Sequence, residues 1–332
     1  MDGREEGRWR STACSRPGRL LLVETRRIGS LEVSVVGLGT NNFGMTLEVG
    51  KVGPVVDAAL EQGINFFDTS DSYGTSEERV GKALGAHRDE VLIATKFGSQ
   101  VRGQPDTGGA RPDYVRRAVD SSLMRLGTDR IDLYQIHRPD PDTPIADTLG
   151  ALSEIVATGK VREIGCSNFT AAQLEEANKP AGTGPRFVSV QNHLSLLERA
   201  DEAGTVPLCE KLGIAYLPYY PLANGILTGK YHRGEEPPED TRLKRWESRL
   251  AGTLSDATFD RVDALATWAR DHGRTLLELA FAWLTAKPCV ASVIAGATRP
   301  DQVVANVAAG RSSLSSSEVE EIDELLSGFD NR

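Results

Sequence analysis

The chain has little of what marks a membrane, secreted or nucleic-acid-binding protein. No apolar run approaches the roughly 18 residues that a membrane-spanning helix needs. Its four cysteines, Cys14, Cys166, Cys209 and Cys289, are widely spaced with no CxxC, so they suggest neither a disulfide framework nor a cysteine-based metal site. A reducing compartment is the simplest reading, and a cytoplasmic location is expected. Basic residues are outnumbered by acidic ones, 38 against 47, for a net charge of -9. That balance speaks against non-specific nucleic-acid binding. Aromatic residues are sparse at 6%, yet hydrophobic residues reach 39% of the 332 residues, enough for a substantial core.

The opening stretch "MDGREEGRWRSTACSRPGRLLLVE" is Arg-rich and irregular, and Leu20 to Val23 is too short for a secretory core. Residues 1–24 are expected to be a disordered extension, and residues 25–332 one domain. Translation from an alternative codon at Val23 would omit most of the extension; the intact mass of the native protein decides that point.

From Thr25 onward the pattern alternates. "TRRIG" and "LEVSVV" flank Gly29-Ser30 and predict a hairpin. Strand-like segments then recur at Val35–Leu38, "INFFD", "VLIATK", "IDLYQIH", "VREIGCS", "FVSVQN", "IAYLPYY" and "VASVIAG", each followed by a helical pattern. Pro112 suits the first turn of a helix over 113–126, and Gly85 the end of another. Eight strand–helix units predict a closed (β/α)8 barrel, with long loops at 97–111 and 221–254 and an appended helix from Ser316. The rival is a doubly wound nucleotide-binding sheet. "GLGTNNFG" offers only Gly37 and Gly39 in register with GxGxxG, and no clear helix follows at once. The barrel is the better account.

Barrel chemistry sits at the carboxyl ends of the strands. Those ends carry Asp68, Lys96 and His137, with Tyr73 in the loop after Asp68. Taken singly, Asp68 could cap a turn, Lys96 could be solvated, His137 could be packed, and Tyr73 could be a surface aromatic. Together, on neighbouring strands roughly 5 Å apart, they face one small volume. A phenol is a reluctant acid near neutrality. A nearby ammonium lowers its pKa, and a carboxylate holds the ammonium charged and in place. A neutral imidazole donates a hydrogen bond that orients a carbonyl. Such a set suits protonation of a carbonyl as it receives hydride.

In order and spacing, "FFDTSDSYG", "IATKFG", "YQIHRPD", "IGCSNF", "VQNHLS", "YYPLANGILTGK" and "VIAGATRPDQVVANV" resemble the blocks of the aldo-keto reductase superfamily, from about Thr25 to Phe329. The resemblance implies Tyr73 as proton donor, Lys96 and Asp68 as its tuning pair, and His137 as the group orienting the carbonyl. It also implies NADPH, bound in extended form. Ser167, Asn168 and Gln191 would hold the carboxamide, and Tyr219 would stack on the nicotinamide. Gly39 and Thr40, at the end of the first barrel strand, would also contact the cofactor. In "PLANGILTGK", Pro221, Leu222, Gly225 and Leu227 supply backbone, and Lys230 a charge, for the pyrophosphate. Gly296, Thr298, Gln302 and Asn306 would line the adenosine, with Arg299 on a 2′-phosphate. Ser167-Asn168 could instead cap a helix, "PLANGILTGK" could be an ordinary turn, and Arg299 could be solvated.

The pattern is broken at Ala305, where an acidic residue is common, and at Asn41, where an aromatic is common. Cys166 should point away from Ser167 by strand alternation and so should pack. Two other functions fit parts of the sequence. Lys96 could form a Schiff base in an aldolase, though a paired Asp68 opposes it. The barrel could also be a nucleotide-binding sensor or partner subunit, as potassium-channel β subunits resemble this family. A small-molecule carbonyl substrate is expected, with no metal, nucleic acid or membrane partner; the oligomeric state is not readable.

Overall fold

Gly29 adopts a left-handed φ of 55°, which turns β1 (Thr25–Ile28) back on β2 (Leu31–Ser34) as an antiparallel hairpin. The structure, a computed structural model, describes residues 23–179, 184–239, 241–245 and 252–330. The expected disordered extension therefore lies outside the described residues apart from Val23 and Glu24. Val23 is buried in the core, and the Glu24 carbonyl accepts from the Val35 amide, so packed chain precedes the expected boundary at Thr25.

The remaining strands are β3 (Val36–Gly39), β4 (Phe66–Asp68), β5 (Leu92–Phe97), β6 (Ile131–Ile136), β7 (Val161–Ser167), β8 (Ser189–His193), β9 (Ala215–Tyr219) and β10 (Val293–Gly296). They pair in parallel and in chain order, and β10 closes onto β3. The closed eight-stranded barrel is thus the fold expected from the alternation. Period-two alternation divides its side chains between two cores. Phe67, Ile93, Tyr134, Cys166 and Val190 face the surrounding helices. Phe66, Ala94, Leu133, Leu217 and Ile294 fill the interior together with Ile28, Leu31 and Val33 of the hairpin. The hairpin thereby plugs the foot of the barrel. Cys166 is fully buried, as expected of a packing residue, and burial raises its thiol pKa well above the ordinary value.

Local chemistry sets the helix boundaries. Pro112 opens the helix Pro112–Leu126, and Gly127, at a left-handed φ of 63°, ends it. Thr275 and Glu278 form a capping box at the start of Leu276–Thr285. One element differs in kind: a five-residue helix, Asn41–Met45, follows β3 directly. It is not the phosphate-binding helix of a doubly wound sheet. Its Gly44 serves close packing, because a Cβ there would lie 1.7 Å from the Tyr73 carbonyl oxygen. The long loop after β9 also carries structure, a 3-10 turn at Ala223–Thr228 and a short helix at Arg242–Arg245. Among the described residues no helix is long and apolar enough to cross a membrane.

Candidate active site

Register fixes the first shared volume. Gly39 pairs with Asp68, Asp68 with Ala94, Lys96 with Gln135, and Ser167 with Gln191, so the last inward residues of successive strands meet at the barrel mouth. Asp68 is 3% exposed and Lys96 wholly buried. Lys96 Nζ donates to Asp68 Oδ1 and Oδ2, both at 2.7 Å, and to the Thr69 carbonyl at 2.9 Å. Gln191 Nε2 donates to Asp68 Oδ1 at 2.7 Å. A buried ion pair survives desolvation only with such additional bonds.

Tyr73 lies over this pair, its ring centroid 5.1 Å from Lys96 Nζ and 5.7 Å from the His137 ring, edge to face. The structure therefore brings Asp68, Tyr73, Lys96 and His137 together. It corrects one part of the expectation. Lys96 was to lower the phenol pKa, but the net shift runs upward. Burial first, and then the negative charge of Asp68, push the Tyr73 phenol well above its ordinary pKa, with Arg242 opposing. The phenol is held in its protonated form, as a proton donor must be. His137 is shifted the other way. Burial, then Lys96 and Arg138, bring it down to about 3, so the imidazole is neutral at physiological pH. Its Nδ1 lies 3.1 Å from Ser70 Oγ.

On the other side of the mouth, Ser167 Oγ donates to the Gln191 carbonyl at 2.6 Å. Asn168, at a left-handed φ of 61°, donates from Nδ2 to the His137 carbonyl and accepts from the Tyr219 hydroxyl, both at 2.8 Å. Neither Ser167 nor Asn168 caps the next helix. That cap is Thr170, in a capping box with Gln173, so the capping alternative for this pair falls away. Tyr219 stacks on His193 at 5.3 Å and 12°, and burial raises its phenol to about 12.

The loop beyond β9 is no ordinary turn. Tyr220, Ala223, Asn224 and Gly225 all have positive φ, a density of unfavourable backbone that marks binding loops more often than plain connections. Pro221 and Leu227 are buried, Leu222 and Gly225 are half-buried, and Lys230 is exposed. At the last strand, Gly296 and Arg299 are exposed, and Gln302 Oε1 accepts from the Thr298 amide at 2.8 Å. Arg299 pairs with Asp301, at 3.1 Å, and Asn306 is buried. Thr40 faces inward to the protein, its hydroxyl donating to the Asp68 carbonyl at 2.9 Å.

Sequence reasoning missed Arg242. Its guanidinium donates to Asn41 Oδ1 at 3.0 Å and Asn42 Oδ1 at 3.1 Å, and lies 5.1 Å from the Tyr220 ring centroid. Nothing in a long charged loop announces that contact; the departure at Asn41 was its only trace. Ser70 and Asp71 were missed as well. Among the described residues no group of three or more His, Cys, Asp or Glu comes together that could hold a metal ion.

The donor set has the chemistry to hold a nicotinamide cofactor. Amides and a phenol converge at Asn168, Gln191 and Tyr219, a left-handed backbone run follows, and the cations Lys230 and Arg299 lie further along. The chain matches the model of the aldo/keto reductase family over residues 35–327. It is 35% identical over 334 residues to Protein tas of Escherichia coli K12, covering 89% of this chain and 94% of that protein. It is 34% identical over 291 residues to a probable voltage-gated potassium channel subunit beta of Oryza sativa subsp. japonica, covering 84% and 88%. Among solved structures it is similar to aldo-keto reductase AKR11C1 from Bacillus halodurans in its holo form, with a TM-score of 0.76 and 31% identity, covering 91% and 96%.

Proposed function

The chain belongs to the aldo/keto reductase family, and from that premise we propose that it reduces an aldehyde or ketone to the alcohol, with NADPH as donor and Tyr73 as general acid. Family and fold support oxidoreductase activity on carbonyl compounds. The observation that carries the finer reading is a protonated phenol and a neutral imidazole facing one volume above a buried Lys96–Asp68 pair.

A bound dinucleotide would supply the hydride. The chain's own residues do the rest. His137 donates a hydrogen bond to the carbonyl oxygen and orients it. Tyr73 Oη delivers its proton to that oxygen as charge develops there. Loss of that proton leaves a phenolate whose nearest stabilising charges are Lys96 and Arg242. Asp68 fixes Lys96 and ties it to Gln191. Asn168, Ser167 and Gln191 hold the carboxamide, and Tyr219 packs on the ring. Lys230 and the backbone of residues 221–227 would hold the pyrophosphate, while Arg299 and the start of the helix Pro300–Ala309 would hold the adenosine phosphate.

A Schiff base on Lys96 is disfavoured, because all three of its protons are engaged and it is wholly buried. A nucleotide-binding partner subunit is the second reading, favoured by the likeness to a channel β subunit. A panel of aldehydes, ketones and keto-sugars, followed by NADPH absorbance with NADH as control, separates the two. Multiple turnovers support the reductase, whereas tight cofactor retention without turnover across the panel supports the partner subunit.

A further inference from the structure

Asp71 is a buried carboxylate, 4% exposed, that the reaction above leaves without a task. It sits two residues before Tyr73, and its Oδ1 lies 3.2 Å from Ser70 Oγ. The same hydroxyl lies 3.1 Å from His137 Nδ1. Ser70 thus stands between a carboxyl group and the imidazole that orients the carbonyl.

The hydrogen-bonding capacity of Ser70 is limited. A hydroxyl has one proton and two lone pairs, and one lone pair accepts the Ser72 amide at 3.2 Å. One proton and one lone pair remain for Asp71 and His137 when the Ser72 hydroxyl, 3.0 Å away, is not bonded to Ser70. An ionised Asp71 accepts only, so it takes the Ser70 proton. The remaining lone pair then accepts from His137 Nδ1–H, and Nε2 is left bare. A protonated Asp71 donates to the lone pair instead. Ser70 then gives its proton to Nδ1, and Nε2 carries the hydrogen.

We propose that Asp71, acting through the Ser70 hydroxyl, is a positioning residue that selects which tautomer of His137 faces the substrate. The proposal rests on the reductase reading for its consequence, since only the Nε2–H form donates to a carbonyl oxygen. The switch balances simply. Asp71 takes one proton from solvent, Ser70 rotates, and one proton passes from Nδ1 to Nε2 through water with no change in the charge of the ring.

The surroundings place this switch in the working range. Burial, then the negative charge of Glu77 on the helix Ser76–Leu84, raise Asp71 to about 7, and Ser70, Arg125 and Tyr114 oppose. Tyr114 and Arg125 come from the helix Pro112–Leu126, and the Tyr114 hydroxyl donates to Asp71 Oδ2 at 3.4 Å. The phenols of Tyr73 and Tyr134 also feel the Asp71 charge and are themselves held protonated. His137 is faced by Lys96 and Arg138 and stays neutral on both sides of that transition. Tautomer, not charge, is therefore the variable. A second hydroxyl, Ser72 Oγ, lies 3.4 Å from Nδ1 and 3.0 Å from Ser70 Oγ, at the long limit for a hydrogen bond to the ring.

Imidazole 15N shifts of the full chain labelled with 15N-histidine, recorded from pH 5.5 to 8.5, test the relay without turnover. His137 is assigned by the signals lost in His137→Gln. The expected result is an Nε2-protonated ring below about pH 7, the pKa held by Asp71, passing to an Nδ1-protonated ring above it. Asp71→Asn should fix one tautomer throughout, Ser70→Ala should abolish the exchange, and Ser72→Ala should keep it. Should Asp71→Asn fail to fold, Ser70→Ala carries the same test. A ring whose tautomer ratio is flat with pH in the native chain, or one that still switches in Asp71→Asn or Ser70→Ala, overturns the relay. The pH profile of carbonyl reduction gives the companion readout. kcat/KM should fall about tenfold across the transition in the native chain, the worth of one hydrogen bond, and lose that limb in Asp71→Asn. Reduction that persists with a flat NMR profile would sink the relay and leave the reductase standing. A switching ring in a chain with no turnover would do the opposite.

Discussion

Two buried carboxylates sit at opposite ends of the barrel wall. Asp132, near the start of β6, is 1% exposed and accepts from Arg88 and Arg162 side chains and the Ile93 amide at 2.8 to 2.9 Å. Asp68, at the end of β4, is 3% exposed and accepts from Lys96 and Gln191 at 2.7 Å. In burial and in being fully hydrogen-bonded they are alike. Their neighbours differ. Arg88 goes on to the Val91 and Arg130 carbonyls, and Arg162 runs into solvent, so the foot cluster ends in backbone and water. The mouth cluster ends in a phenol and an imidazole whose titrations are displaced in opposite directions. A buried ion pair alone is therefore weak evidence of a site; what it is placed beside decides.

The sharpest test of that contrast is Tyr73→Phe. It should cut carbonyl reduction by about 10²- to 10⁴-fold, with dinucleotide affinity and the urea midpoint nearly unchanged, as steady-state rates, a fluorescence titration and a melt would show. Asp132→Ala should do the reverse. Leaving Arg88 unpaired at 13% exposure should cost about 3 kcal/mol of stability, the lower end of the range because Arg162 is 43% exposed and turns to water. Turnover per folded molecule should hold, and a large loss of kcat would break the comparison. Gly44→Ala tests the support under Tyr73. Its Cβ would lie 1.7 Å from the Tyr73 carbonyl oxygen, so the loop must shift and kcat should fall on the order of tenfold to a hundredfold.

The smallest effect is a stability profile. Asp71 holds its proton in the fold up to about 7 against an ordinary 3.8, so folded chain binds the proton more tightly than unfolded chain. Its contribution to stability is greatest below about 4 and is lost as pH rises to about 7. His137, at about 3 against 6.5, has the opposite slope, losing stability as pH falls through that window. The two offset each other between about 4 and 6.5. Asp71→Asn should gain about 1–3 kcal/mol at pH 8, and little at pH 4. It should also leave the His137 slope exposed in urea melts across pH.

Much of this was legible in the sequence. Strand–helix alternation gave the barrel order, and strand ends gave Asp68, Lys96 and His137, because both are local patterns with a fixed period. The helix Asn41–Met45 was not legible, since five residues do not make a period. The direction of the Tyr73 shift was also hidden. The lowering expected of a nearby lysine is outweighed by burial of the phenol and the charge of Asp68, which exist only in the folded chain. Arg242 and Asn41, two hundred and one residues apart, meet for reasons no window of sequence contains. Gly44 carried no signal in the sequence, being out of register with GxGxxG, and its role in making room beside Tyr73 exists only in the fold.

The hairpin plug has a kinetic meaning. With Ile28, Leu31 and Val33 sealing the foot, the barrel is a cul-de-sac, and every reactant and product that uses the mouth must share one entrance. Departures then hold up arrivals. Under the proposed reaction, the slowest leaver sets the pace for all the others at the mouth.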